Sequence, residues 1–173
     1  MRLVSASFAA ASLIVASLPT MAFELQGYRS GMSLAEVTEI AKHSGWEIVP
    51  VGFVLSSGNG SYGLRRPLPS GALTFGIDFS FCNDHLMLLG ETIQGGFDAF
   101  ARTLEAYTKR FGQGSISSRS ENGPNGTLSE ITVEWLDPGH DRHRVSMFAL
   151  QGRQTVAVSM FSPEVARPCR QTD

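Results

Sequence analysis

The pattern of the chain predicts an α+β fold: a two-layer arrangement in which an antiparallel sheet carries two helices on one face, with a helix-plus-meander unit occurring twice. Three observations predict it. Two segments with apolar residues at helical spacing are each followed by segments in which apolar and polar residues alternate. The links between alternating segments are short turn sequences, which force neighbouring strands antiparallel. A sheet with one apolar face must also cover it, and two amphipathic helices are at hand to do so.

Taken in order, residues 1–22 read as a signal peptide. Their only charge is Arg2, 15 of the 22 are hydrophobic, Pro19 closes the apolar run from Leu3 to Leu18, and Thr20-Met21-Ala22 resembles a small-x-small cleavage site. The 16-residue run Leu3–Leu18 falls short of the roughly 20 residues that span a bilayer core, so cleavage after Ala22 is expected and no membrane span after it. The remaining residues, 23–173, read as one α+β domain with pseudo-repeats at about 28–94 and 95–162 and a tail at 163–173. This predicts an exported protein, periplasmic or secreted.

Ser33 and Glu36 form a capping box, Leu34, Val37, Ile40 and Ala41 share a face, and Gly45 follows, which predicts a helix over 33–44. The alternating segments 46–55, 72–82 and 86–93 predict three strands, with Asn83-Asp84 turning the second into the third. Phe97, Phe100, Ala101, Leu104, Tyr107 and Phe111 then trace a second helix, with Lys109 and Arg110 in its last turn and Gly112 after it. Their spacing fits packing against a sheet better than a cofactor box. Four further strands are expected at 115–120, 128–136, 142–150 and 154–161, joined through Asn122–Gly126, Asp137-Pro138-Gly139 and Gln151-Gly152.

The charge balance excludes some functions. With 14 Lys+Arg against 16 Asp+Glu and no block of like charge, the chain has no arm for nucleic acid. Its two cysteines, Cys82 and Cys169, are an even pair in an exported chain and are candidates for a disulfide. Gly58-Asn59-Gly60-Ser61-Tyr62-Gly63 matches a dinucleotide fingerprint literally, but Leu64-Arg65-Arg66-Pro67-Leu68-Pro69 follows where a helix should open, so nucleotide binding is rejected. The segment from Ser56 to Gly71 reads instead as a long exposed loop, whose Tyr62, Arg65 and Arg66 are residue types enriched at protein interfaces and form a candidate partner-binding loop.

Asp137, His140, Asp141 and His143 crowd a turn and could ligate a metal by residue type, but a polar hairpin tip explains them and the odd spacing of the two histidines opposes a site. No nucleophile elbow or histidine in a general-base context is present. No residue is assigned as catalytic, cofactor-binding or metal-binding, and no cofactor is expected.

The run Tyr28-Arg29-Ser30-Gly31-Met32-Ser33-Leu34-Ala35-Glu36-Val37 resembles the opening of the small bacterial envelope proteins of the SmpA/OmlA (BamE-like) group, and a doubled helix-plus-meander is similar to the β-lactamase-inhibitor-protein architecture. The resemblance implies an envelope protein that acts by binding another envelope protein, and it assigns no functional residue. Sequence and resemblance together predict a non-enzymatic exported binding or assembly module, working through its solvent-facing sheet or the 56–71 loop. The alternatives are an exported enzyme or a small-ligand binder whose site forms only in three dimensions.

Overall fold

A computed structural model describes residues 23–51, 59–67, 73–124 and 126–171. The expected signal peptide at 1–22 lies outside them. The described chain opens with a small hairpin, β1 (Glu24–Leu25) and β2 (Tyr28–Arg29), followed by α1 (Leu34–His43). The capping box forms as its residues demand: the Ser33 hydroxyl accepts from the Glu36 N–H at 3.3 Å, and the Glu36 carboxylate accepts from the Ser33 N–H at 2.8 Å. Next come β3 (Glu47–Pro50), β4 (Gly60–Pro67), β5 (Leu73–Cys82) and β6 (His85–Ile93). After α2 (Gly96–Phe111) follow β7 (Ser115–Gly123), β8 (Gly126–Leu136), β9 (Arg142–Leu150) and β10 (Arg153–Phe161). The chain ends in the four-residue α3 (Pro163–Ala166) and a 3₁₀ turn, Arg167–Gln171.

The strands β3 to β10 make a single antiparallel sheet in the order β3-β4-β5-β6-β10-β9-β8-β7. Each half runs as a meander, and the halves meet where Leu88 to Ile93 of β6 pair with Phe161 to Val156 of β10. Residues directly opposite in such a ladder share a face. One face therefore carries Phe79, Leu89, Val158, Val145 and Val133, all buried, and Val37 and Ala41 of α1 and Ala99 and Phe100 of α2 pack into the same core. Trp135 is seated beside the turn after α2: its indole N–H donates to the Gly112 carbonyl at 2.9 Å. Gly114 has to be glycine there, because a Cβ would stand 2.7 Å from the Trp135 and Val133 side chains.

The fold class expected from sequence is overturned. Among the described residues the protein is mostly β, ten strands against three α-helices, and not a two-helix, two-layer α+β fold. Helix signals are local and conspicuous, whereas strands are completed by their neighbours. Residues 60–67, read as part of a loop because of their glycine and arginine content, become β4 because Glu47–Pro50 on one side and Leu73–Phe81 on the other supply ladder partners. The hairpin at 24–29 and the helical turns at 163–171 also fall where no periodic pattern announces them.

The disulfide expected between Cys82 and Cys169 is present. It joins positions 87 residues apart with Cα atoms 5.9 Å apart, and ties the C-terminal turn to the end of β5. No helix among the described residues is long and apolar enough to cross a membrane.

Candidate binding face

The helices cover one face of the sheet, and over β7, β8 and β9 the opposite face stays open. Arg142 and Arg144 are exposed there, and Leu136 is 60% exposed. Register arranges this open face in rows across the strands. The first row is Glu121, Leu128, Leu150 and Arg153; the next is Arg119, Glu130, Phe148 and Thr155. Then come Ser117, Thr132 and Ser146, and after them Ser115, Glu134, Arg144 and Ser159.

The charges in these rows are held before any partner arrives. The Arg119 guanidinium donates to Glu130, and Arg144 donates to Glu134 at 2.9 Å. Glu130 sits on a buried polar floor: Thr132 donates its hydroxyl to Glu130 at 2.9 Å and shares a 2.7 Å hydrogen bond with Ser146. Burial works against the Glu130 charge, yet the Thr132 and Arg119 donors and the Arg119 charge outweigh it, so this carboxyl stays ionised below the usual glutamate range. Arg142 and Arg153 flank the pairs without an ion pair among the described residues. A shallow hollow of about 400 Å³ lies over Ser117, Arg119, Glu130, Thr132, Glu134 and Arg144, and a more apolar one of about 460 Å³ over Leu128, Phe148, Leu150 and Arg153 adjoins it. Of the side chains on this face, the arginines and Phe148 are of types enriched at protein interfaces.

Tyr62, Arg65 and Arg66 lie on strand β4 and not on a loop, and the structure does not bring them together. Tyr62 packs edge-on against Phe81 with ring centroids 5.6 Å apart, and Arg65 pairs with Glu47 at 2.6 Å. Arg66 stacks over Trp46 at 4.6 Å and donates to the Ser44 carbonyl at 2.6 Å. Each is thus held by its own chain. The remaining residues of the expected loop, 56–58 and 68–71, lie outside the described residues apart from Asn59.

The turn between β8 and β9 holds a different polar cluster. Asp137 accepts the Asp141 N–H at 2.9 Å through one oxygen and meets His143 Nε2 at 3.2 Å through the other. His143 is buried and stacks on Phe111 with centroids 4.3 Å apart, while His140 is exposed on the turn at φ 63°. Among the described residues, no three His, Cys, Asp or Glu side chains converge as a metal site requires. His85 and His43 each contact a backbone carbonyl, of Gly31 at 3.0 Å and Glu39 at 2.7 Å.

Asp141 is fully buried with one carboxylate oxygen lacking a partner, and burial, with the Asp137 and Glu164 charges adding, pushes its pKa from 3.8 up to about 6. Between those values the folded protein holds a proton that the unfolded chain releases, so Asp141 costs stability in full above pH 6 and nothing below pH 4. His143 acts in the opposite sense: burial lowers its pKa, so its cost appears as the pH falls below the ordinary histidine range. Asp141→Asn is expected to exceed the wild type in stability by about 1–3 kcal/mol at pH 7.5, from a shift of about two pK units, with the gap closing by pH 4. Urea midpoints at the two pH values check this, and an equal gap at both would separate the gain from the carboxylate charge.

On the helix-covered side, Gln26, Tyr28, Trp46, Ile77 and Glu91 line a cleft of about 150 Å³, below the roughly 300 Å³ at which small-molecule sites begin. No protein-family model, curated protein or solved structure matches the chain.

Proposed function

We propose that this protein is an exported, non-enzymatic binding module that holds a protein partner against the open face of β7, β8 and β9. The observation that carries this reading is the ordered set of rows: Arg119–Glu130 and Arg144–Glu134 fixed over a hydrogen-bonded floor, beside the apolar patch of Leu128, Phe148 and Leu150. Arg142 and Arg153 supply the charge left over, so the partner presents carboxylates around an apolar contact. Export is supported by the signal-like segment at 1–22 and by the Cys82–Cys169 bridge, a bond that persists in oxidising compartments. The resemblance of residues 28–37 to the SmpA/OmlA (BamE-like) group points the same way, toward the bacterial envelope.

The test is cross-linking capture by the tagged protein in envelope extract of its host, comparing wild type with Arg142→Glu/Arg153→Glu. Both arginines are exposed and lie outside the fixed pairs, so the double variant keeps the fold. Capture is expected to fall at least about tenfold, since like charge facing a carboxylate costs several kcal/mol. Equal capture by both proteins would move the contact off this face, and no capture by the folded, exported wild type would remove the binding-module reading. Mass analysis of the exported chain should find it beginning at Phe23.

A further inference from the structure

The two edges of the eight-stranded sheet are built differently. Edge strand β3 is four residues long and ends in Pro50, which cannot donate to a further ladder. Edge strand β7 is nine residues long, has no proline, is exposed at every position and keeps one unbroken register with β8 from Ser115 to Gly123. Among the described residues, none of the usual devices that blunt an edge is present apart from two charges, Arg119 and Glu121.

Which backbone groups of β7 point outward follows from the ladder. Gln151 and Gly152 have φ values of 51° and 76°, the positive pair of a two-residue hairpin turn, so Leu150 and Arg153 exchange hydrogen bonds. Alternation from there turns the odd-numbered residues of β9 toward odd residues of β8, and even residues of β8 toward odd residues of β7. Ile116, Ser118, Ser120 and Asn122 thus aim their N–H and C=O groups away from the sheet.

We propose that β7 pairs antiparallel with β7 of a second copy about a two-fold axis at Ser120, making one continuous sheet across a symmetric dimer. Three symmetric registers match outward groups to outward groups near the middle of the strand, and charge selects among them. Centring on Arg119 sets that guanidinium against itself, and centring on Ser118 leaves both charges facing serine. Centring on Ser120 places Arg119 opposite Glu121 of the second copy, twice, and Ser118 opposite Asn122 of the second copy, twice. Arg119 then lies in a row between its own Glu130 and the Glu121 of the second copy, with carboxylates on both sides. This pairing uses the edge of the sheet and leaves the open face available, so it stands independently of the binding reading.

Sedimentation equilibrium of the full exported chain tests the pairing. A dimer is expected at micromolar concentration, and Glu121→Arg, which sets arginine against arginine at both crossings, should raise its dissociation constant at least about tenfold. Arg119→Glu should do the same, while an equimolar mixture of the two variants should recover dimers, because each crossing then joins arginine to glutamate. Ser120→Pro removes an outward N–H and the 3.5 Å hydroxyl contact of Ser120 with Ser129 but keeps the backbone ladder to β8, so it should give a folded monomer by circular dichroism. Ser120→Cys should oxidise to a covalent dimer. A wild type that is monomeric at every concentration overturns the proposal and leaves the edge to an extended peptide of another protein, and a dimer insensitive to Glu121→Arg and Ser120→Pro overturns it as well.

Discussion

Replacing Cys82 and Cys169 together by alanine is expected to cost about 4–5 kcal/mol of unfolding free energy, the chain-entropy value for a closed loop of this length. The bridge spans 87 residues, from the end of β5 to the 3₁₀ turn after α3. Without it the C-terminal turns keep the Ser162 N–H donated to the Met87 carbonyl at 2.9 Å and the burial of Ala166, a thin attachment for a four-residue helix. The loss should therefore appear twice: as a lower denaturant midpoint, and as faster amide exchange at 163–171 in the native state. Reduced wild type should match the double variant. A change below about 1 kcal/mol would mean that the unbridged, unfolded chain is already compact enough to hold its ends together.

Phe79→Ala is expected to cost about 3–5 kcal/mol, the range for emptying a buried aromatic site. Phe79 is 0% exposed at the middle of β5, paired with Tyr62 on β4 and Leu89 on β6, and the Tyr28 ring stands edge-on against it at 4.9 Å. The sheet on both sides is hydrogen-bonded and cannot collapse into the space. Tyr28 supplies an internal reporter: burial raises its phenol pKa, and the cavity should bring that pKa back toward the ordinary tyrosine value in a spectrophotometric titration. A loss under about 2 kcal/mol with an unmoved Tyr28 titration would show that the β1–β2 hairpin closes over the gap. Against total stabilities of about 5–15 kcal/mol, either variant stands near the limit of folding.

Much of the secondary structure was legible from local chemistry. The capping box at Ser33 and Glu36, the stripe from Phe97 to Phe111 and the alternation along residues 142–150 each placed an element within a residue or two of where it forms. The balance between helix and strand was not legible, because β4 and the far end of β7 have almost no apolar alternation and are strands by virtue of their neighbours. The candidate face was half visible. Alternation already put Thr132, Glu134, Arg144 and Ser146 away from the core, but that Arg144 meets Glu134 and Thr132 meets Ser146 depends on the register between β8 and β9, which no local pattern specifies. The burial of Asp141 beside Ser162 was out of reach for the same reason: the residues are 21 positions apart and meet only once β10 has returned to the sheet.

The junction of β6 with β10 bears on how the molecule assembles. Every other neighbouring pair in the eight-stranded sheet consists of strands consecutive in the chain, whereas this seam joins strands separated by α2 and three further strands. Loop-closure entropy penalises such a contact until the flanking structure is in place. Each meander can zip up from its own turns, and the two halves then dock along residues 88–93 and 156–161. Docking of the two halves at the centre of the sheet is therefore the expected rate-limiting step of folding, and substitutions along 88–93 and 156–161 should slow it.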